Sequence, residues 1–463
     1  MQSRWGSDRI HLRFKSSLYT GRSHMNLEPF RFWKGEILSL SLILSLSLVG
    51  ASPLWAQTAG FAYVTNATDS TISAYTINAT TGALTPLAGS PFAADCCVPV
   101  SLAVTPNGRF AYVAVEDSNI VSVYTANATT GALTPVAFAQ TGSSPLSVTV
   151  DPSGRFAYVT NSLDDDVSAY TINATTGALT PLGGSPFAAG SQPQSVAVSP
   201  NGKFAYVANE SGNVSAYTIN ATTGALTPVA GSPFPASGQS LSVTVHPSGQ
   251  FVYVANALFN NVSAYTINAT TGALIPVAGS PFPAGSQRFS VTVGPVRVTV
   301  SPNGKFAYVT VNGDNFGDVS AFNINATTGA LTPIPGSPAV GSVPSSVAVS
   351  ANGQFAYVTN LADDSVSAYT INATTGALTP IAGSPFATGV GPNSVTTIAP
   401  ASSCKHDKED RHEPGDGDEH SEGHEQGDDG HKGLKKHGCH HSGEKDFGEH
   451  DGDGAHERER DHH

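Results

Sequence analysis

The sequence predicts an all-β fold, a seven-bladed β-propeller of four-stranded blades, from three observations. A hexapeptide of the type FAYVTN occurs seven times between Phe61 and Phe355, at spacings of 46 to 55 residues. Turn signals divide each repeat into four short strand-like segments. The first repeat lacks its opening segment, and a segment of that type follows the last repeat.

One complete repeat, residues 195–234, shows the four segments of a blade: SVAVSPNGKFAYVANESGNVSAYTINATTGALTPVAGSPF. Pro-Asn-Gly, a loop rich in Asn and Asp, and Ala-Thr-Thr-Gly separate the segments, and all three favour turns. We expect SVAVSP to be the innermost strand, lining a central channel. Proline cannot donate to a β-ladder, so the segment that always contains proline should form the outer edge. Its prolines are Pro86, Pro135, Pro181, Pro228, Pro276, Pro333 and Pro380.

The two ends of the repeat region predict how the ring closes. No SVAVSP-like segment precedes Phe61, and NSVTTIAP (393–400) has no FAYV segment after it. The C-terminal strand 393–400 should therefore complete the first blade, which removes two exposed strand edges. Blade six is irregular because RFSVTVGPVRVTVSP (288–302) contains the innermost-strand pattern twice.

The phrase YTINATTGALTP recurs seven times with small changes, and each copy contains an Asn-Ala-Thr glycosylation sequon. We interpret it as the third strand, its hairpin turn and the fourth strand. Asn can open such a turn through its side chain, and Gly can take the left-handed position. The phrase is therefore read as scaffold rather than as a repeated functional site.

Residues 1–56 are interpreted as a signal-peptide region, with Met25 as an alternative start. An apolar run of 14 residues (37–50) follows Arg31 and Lys34, and Ala56 is a suitable cleavage point. The chain is then exported to the periplasm, the cell surface or the medium, with no membrane span after cleavage. An uncleaved anchor is the alternative. Residues 57–400 form the propeller, which we expect to be monomeric.

Charge in the propeller is sparse and unevenly distributed. Residues 57–400 hold 13 acidic and 6 basic residues, and no basic patch suggests binding to nucleic acid. Nearly all of the acids fall in loops that should share one end of the blades, the top face. These loops could bind Ca²⁺ or a cationic partner, although turn chemistry and solubility would also account for them. The candidate ligand-binding residues are Glu116, Asp117, Asp164, Asp165, Asp166, Asp314, Asp318, Asp363 and Asp364.

Two arginines are the candidates for catalysis. Arg297, in VRVTVSP, is the charged residue expected in the channel or its wall, and Arg288 lies near the preceding blade link. The other innermost strands show Ser, Thr and small apolar residues.

Residues 401–463 predict a disordered tail, because they hold 12 of the 15 histidines, many charges and almost no apolar residues. Such a tail could bind zinc, nickel or copper weakly, or could serve only for solubility. The densest candidate metal ligands are His437, Cys439, His440 and His441.

Four cysteines allow three complete pairings. Cys96 and Cys97 fall in a top-face link, whereas Cys404 leaves from the opposite, bottom face. We therefore favour a Cys404–Cys439 disulfide within the tail, which leaves Cys96 and Cys97 as a strained adjacent pair or as free thiols.

YVTN occurs at 63–66, 158–161 and 357–360, and YVAN occurs at 206–209 and 253–256. With AYTINATTGALTP and GSPF, these motifs resemble exported bacterial members of the YVTN-repeat, lactonase-type propellers. The resemblance covers about 57–400 and implies a seven-bladed fold and, as an activity, 6-phosphogluconolactonase-type hydrolysis. Three functional hypotheses follow. The first is an exported binding or surface scaffold that recognises a protein, a glycan or a small molecule. The alternatives are a hydrolase of carbohydrate lactones and metal sequestration by the tail.

Overall fold

The computed structural model describes residues 58–285, 295–312, 317–336, 338 and 340–400. These residues form 33 β-strands in seven antiparallel sheets and contain no helix. Each sheet is one blade, and the innermost strands of successive blades contact one another around a central channel. The predicted seven-bladed propeller is confirmed.

The strands of each blade run outward from the channel, and a two-residue strand follows the outer strand in five blades. Blade one contains β1 (Thr58–Asn66), β2 (Thr71–Asn78), β3 (Leu84–Pro86) and β4 (Phe92–Ala93). Blade two contains β5 (Pro99–Val104), β6 (Phe110–Val115), β7 (Ile120–Ala126) and β8 (Leu133–Gln140). Blade three contains β9 (Pro145–Val150), β10 (Phe156–Asn161), β11 (Asp166–Ile172), β12 (Leu179–Pro181) and β13 (Phe187–Ala188). Blade four contains β14 (Pro193–Val198), β15 (Phe204–Asn209), β16 (Asn213–Ile219), β17 (Leu226–Pro228) and β18 (Phe234–Pro235).

The remaining blades repeat this order. Blade five contains β19 (Ser240–Val245), β20 (Phe251–Asn256), β21 (Asn261–Ile267), β22 (Leu274–Pro276) and β23 (Phe282–Pro283). Blade six contains β24 (Pro295–Val300), β25 (Phe306–Val311), β26 (Asp318–Ile324) and β27 (Leu331–Ile334). Blade seven contains β28 (Pro344–Val349), β29 (Phe355–Asn360), β30 (Ser365–Ile371), β31 (Leu378–Pro380) and β32 (Phe386–Ala387). The last strand, β33 (Pro392–Ile398), pairs with β1 in blade one.

The hydrophobic core lies between the blades. The FAYV strands are buried along their whole length, because both faces of each blade pack on a neighbour. Burial on both faces explains why these strands are continuously apolar rather than alternating. Each core cluster draws on two adjacent blades; Tyr63 of blade one, for example, packs with Val113 of blade two.

The prolines mark the outer edge as predicted. The fourth strand of each blade pairs only with the third strand and contains the proline of its copy. Those prolines are Pro86, Pro135, Pro181, Pro228, Pro276, Pro333 and Pro380.

The ring closes between the first and last strands. β33 runs antiparallel to β1, from the Phe61–Ile398 pair to the Asn66–Pro392 pair. The predicted completion of blade one by strand 393–400 is therefore confirmed. In blade six, the second copy of the doubled pattern forms the innermost strand β24, whereas the first copy, with Arg288, lies outside the described residues.

A ring of buried tyrosine hydroxyls ties each blade to the next. The tyrosine of each second strand donates a hydrogen bond to the turn glycine carbonyl of the following blade, over 2.8–3.0 Å. Burial raises the pKa of these phenols, so they remain donors across the physiological pH range. The pairs are Tyr63–Gly131, Tyr112–Gly177, Tyr158–Gly224, Tyr206–Gly272, Tyr253–Gly329, Tyr308–Gly376 and Tyr357–Gly82.

The repeated ATTG turn packs directly against the preceding blade at this interface. In blade four, the Asn220 side chain accepts hydrogen bonds from the amides of Thr222 and Thr223, which forms the predicted Asx-type turn. Gly224 adopts a positive φ of 75° and lies against the Phe156 ring of blade three. The phrase YTINATTGALTP is thus part of the interblade interface.

We expect Gly224→Ala to destabilise the protein more than Gly202→Ala. Both glycines have positive φ, 75° and 68°, and each substitution carries a left-handed cost of about 1–2 kcal/mol. A Cβ at Gly224 would lie 2.5 Å from Phe156 Cδ1, whereas one at Gly202 has no heavy atom within 4 Å. Overpacking should therefore cost Gly224→Ala a further 1–3 kcal/mol or so in the free energy of unfolding, measured by urea titration. Equal losses in the two variants would contradict this account of the turn.

Candidate functional site

Carboxylates in the acidic top-face loops accept hydrogen bonds from the chain segments that link one blade to the next. Four predicted site carboxylates accept hydrogen bonds from link amides: Asp164 from Ser143 (2.6 Å), Asp165 from Gln192 (2.7 Å), Asp363 from Ser342 (2.6 Å) and Asp364 from Gly391 (2.8 Å). Each bond joins a strand-two-to-three loop to the neighbouring chain link. These contacts explain the acids without a bound ion, a role that the sequence alone did not distinguish from ligand binding.

The other predicted top-face acids differ in their surroundings. Asp166 accepts a hydrogen bond from the Asn161 side chain (2.6 Å), and burial raises the pKa of its carboxyl. Asp318 is buried at the start of β26, and Asp117 is exposed. Asp314 lies outside the described residues, as do the tail residues His437, Cys439, His440 and His441.

No group of three or more His, Cys, Asp or Glu side chains suited to a metal occurs in the part of the chain that the structure describes. The predicted calcium site of the top face and the zinc, nickel or copper site of the tail both stay predictions.

A cavity of about 260 Å³ opens where the innermost strands begin, and we call it the top mouth. The second residue of every innermost strand lines it, which places the cavity on the propeller axis. These seven residues are Val100, Leu146, Gln194, Leu241, Val296, Ser345 and Asn393. Glu116, Arg297, Asn312, Val343 and Leu361 complete the lining.

Arg297 occupies a position that is serine in the other six blades: Ser101, Ser147, Ser195, Ser242, Ser346 and Ser394. In five of them the serine hydroxyl accepts a hydrogen bond from an amide of the next blade, over 3.2–3.3 Å. Blade six gives up that interblade contact and presents a guanidinium instead. In blade six, a serine with a structural role is thus replaced by an arginine whose side chain lines the cavity.

The Arg297 guanidinium is half-buried and has no hydrogen-bond or ion-pair partner among the described residues. Burial lowers the pKa of Arg297 below its usual value, yet a guanidinium remains protonated at neutral pH. Its backbone amide donates to Thr310 Oγ1 (3.2 Å), which holds the strand but leaves the charge available.

The rest of the lining contains one carboxylate, that of Glu116, and several uncharged polar side chains. Glu116 is half-buried and accepts a hydrogen bond from the Ser144 hydroxyl (3.1 Å). Gln194 donates to Glu210 (3.1 Å), which also accepts from Gln239 (2.8 Å). Asn312 Oδ1 is buried without a partner among the described residues.

The lining of the top mouth thus offers one cation, one carboxylate, several amides and a hydroxyl within an otherwise apolar wall. Such a cavity can orient a small polar ligand, stabilise a developing negative charge at Arg297 and accept a proton at Glu116. Glu116 and Arg297 were named from the sequence. Gln194, Asn312, Ser345 and Asn393 were missed, although variation at one position of a repeated strand was a visible signal.

A larger cavity of about 710 Å³ lies at the bottom face, between blades one and two. Turn residues such as Pro106 and Gly108 line it, and its described lining has no ionisable side chain. The top mouth, which does have ionisable side chains in its lining, is therefore the better candidate site.

No helix in the described residues is long and apolar enough to cross a membrane.

The fold is a closed seven-bladed propeller with a partly polar cavity at the top of its channel. The chain belongs to the lactonase family of seven-bladed β-propellers, whose family model matches residues 50–150, 139–239 and 242–392. No curated protein gave a match.

Solved structures similar to this chain share the fold at low identity. A putative 6-phosphogluconolactonase from Bacteroides uniformis is 19% identical, with a TM-score of 0.65 over 73% of this chain and 100% of its own. A putative 6-phosphogluconolactonase from Bacteroides fragilis is 20% identical, with a TM-score of 0.64 over 75% and 99%. A periplasmic gluconolactonase from Pseudomonas aeruginosa is 18% identical, with a TM-score of 0.63 over 74% and 99%.

Proposed function

We propose that this protein hydrolyses a carbohydrate lactone at the top mouth. The observation that carries the proposal is Arg297, a half-buried cation on the channel wall at a position that is serine in every other blade. Membership of the lactonase family supports the same reaction class. Fold alone would not, because one fold supports many functions.

The roles follow from the chemistry of ester hydrolysis. A water molecule attacks the lactone carbonyl carbon, and Glu116 accepts its proton. Arg297 stabilises the negative charge that develops on the carbonyl oxygen. The ring C–O bond then breaks, and its oxygen takes the proton that Glu116 accepted. The product is a hydroxy acid, which releases a proton to water and whose carboxylate can remain near Arg297.

The lining favours an uncharged sugar lactone over a phosphorylated one. Among its described residues the mouth has one arginine and one carboxylate, so their formal charges cancel. A phosphate group would normally be met by several cations or by a helix N-terminus. The gluconolactonase activity named for the Pseudomonas aeruginosa structure therefore suggests the first substrate class to test.

We expect the purified protein to open δ-gluconolactone faster than buffer does, measured as acid release with a pH indicator. Glu116→Gln should lower this rate strongly, because it removes the proposed base, typically worth about 10²–10⁴-fold. Asp117→Asn is the matched control, since Asp117 is exposed and does not line the mouth.

Faster hydrolysis of 6-phosphogluconolactone than of gluconolactone would overturn the choice of substrate class. No acceleration with either lactone, or equal losses in the two variants, would argue against a hydrolase.

Export is part of the proposal. It is supported by the apolar run at 37–50, which lies outside the described residues, and by the periplasmic location named for the Pseudomonas aeruginosa neighbour.

The second candidate function is binding of a partner by an exported scaffold. It is favoured by apolar side chains on the top-face loops, where Leu163 is 71%, Leu258 58% and Phe259 62% exposed. Exposed apolar residues near a polar rim are typical of interaction surfaces. Protein that binds a lactone or a glycan in calorimetry but does not turn over any lactone would favour this scaffold.

A further inference from the structure

Two adjacent thiols meet in the link between blades one and two. Cys96 Sγ and Cys97 Sγ are 2.6 Å apart, both side chains are exposed, and neither is in a disulfide. Non-bonded heavy atoms prefer a separation of about 3.5–4.0 Å, whereas a disulfide bond is about 2.05 Å long. The two sulfur atoms therefore lie nearer to a disulfide bond length than to an ordinary van der Waals separation.

The link that carries the pair is one residue longer than its counterpart in blade three. Residues 94–99 (ADCCVP) correspond to 189–193 (AGSQP), and both links end in the same way. The Glu116 amide donates to Val98 O, and the Glu210 amide donates to Gln192 O, each over 3.0 Å.

The two links also begin alike. The amides of Ala94 and Ala189 donate to the carbonyls of Ser70 and Asp165, over 3.0 and 2.8 Å. The additional residue therefore lies within 95–97, where it places the two cysteines side by side at the surface.

The surroundings make the two thiols chemically unequal. Hydrogen bonds from Cys97 and Ser118 lower the pKa of the Cys96 thiol, and the neighbouring Cys96 raises the pKa of the Cys97 thiol. Cys96 is then the attacking thiolate and Cys97 the resolving thiol, because the thiolate is the nucleophile in disulfide exchange.

We propose that Cys96 and Cys97 form a dithiol–disulfide exchange site whose co-reactant is the disulfide of a low-molecular-weight thiol. The Cys96 thiolate attacks one sulfur of that disulfide, forms a mixed disulfide and releases one thiol. Cys97 Sγ then loses its proton, bonds to Cys96 Sγ and displaces the second thiol. Two cysteine thiols are oxidised, one disulfide is reduced, and the two protons end on the released thiols.

The test uses the full-length chain with Cys404→Ser and Cys439→Ser, incubated with oxidised glutathione. We expect no titratable thiol after denaturation, no glutathione adduct, and a mass lower by two hydrogen atoms than that of the dithiothreitol-reduced sample. Dithiothreitol should restore two thiols without unfolding the protein, because the pair is exposed.

The control is Cys97→Ser in the same background, in which the attacking Cys96 thiolate has no resolving partner and should retain one glutathione adduct. Two remaining thiols, two glutathione adducts or a disulfide-linked dimer in the parent would each overturn the proposal. Absence of the adduct in Cys97→Ser would do so as well, since Cys96 would then either not attack the disulfide or release glutathione without a second cysteine.

Discussion

Arg297→Ser should abolish most lactone hydrolysis while leaving the propeller at least as stable as it was. Loss of one group that stabilises an oxyanion typically lowers kcat by about 10²–10³-fold. Serine is the residue found at this position in the other six blades, so the fold accepts it. Its hydroxyl could accept a hydrogen bond from the Val347 amide, as Ser242 does from Val298 in the preceding blade. Such a bond contributes about 0.5–1.5 kcal/mol.

The measurements are kcat for δ-gluconolactone and the thermal midpoint of unfolding. Arg109→Ser is the matched control, because Arg109 lies in a bottom turn and donates to Ala174 O (3.2 Å). It should lose some stability and no activity. If Arg297→Ser kept the wild-type rate, Arg297 would have no part in the reaction. A large fall in its thermal midpoint would instead assign Arg297 a structural role.

Ending the chain after Gly391 should prevent folding to a monomeric propeller. This truncation removes β33, which pairs with β1 and buries Val395 to 4% exposure. It also removes a bond from the Val395 amide to Ser346 of blade seven (3.3 Å) and one from Thr396 to Leu102 O of blade two (2.8 Å). The exposed edge of β1 would then be free to pair with other chains.

The matched truncation ends after Pro400 and removes only the histidine-rich tail. We expect it to elute as a monomer with an unchanged thermal midpoint, whereas the shorter chain should aggregate. A shorter chain that elutes as a monomer and unfolds at the same temperature would show that closure by β33 is dispensable.

The fold could be predicted because its determinants are local and are repeated seven times. Proline placement identified the outer edge, and the split first repeat identified the closing strand. The site could be predicted only in part. Glu116 and Arg297 could be named because charges are few in the propeller region, whereas Gln194 and Asn393 are ordinary polar residues whose importance comes from their position at the mouth.

The acidic loops show the limit of sequence reasoning most clearly. Asp165 accepts a hydrogen bond from the Gln192 amide, 27 residues away, because two loops meet beside the junction between blades. The two residues belong to different segments of the repeat, and no strand or turn pattern in either segment indicates that they meet. A carboxylate used as a structural acceptor and one available to a cation therefore look alike in the sequence.

The tyrosine–glycine contacts have a consequence for assembly. Because every blade offers the next one nearly the same tyrosine and the same turn, these contacts cannot identify which blade is the correct neighbour. The joint between β1 and β33 is different, since it unites two segments that are each incomplete. During folding, that joint alone distinguishes a ring closed within one chain from a ring shared between chains, as in domain swapping. A chain of nearly identical repeats can therefore still fold to one ring of seven blades, because one blade is built from both ends of the repeat region.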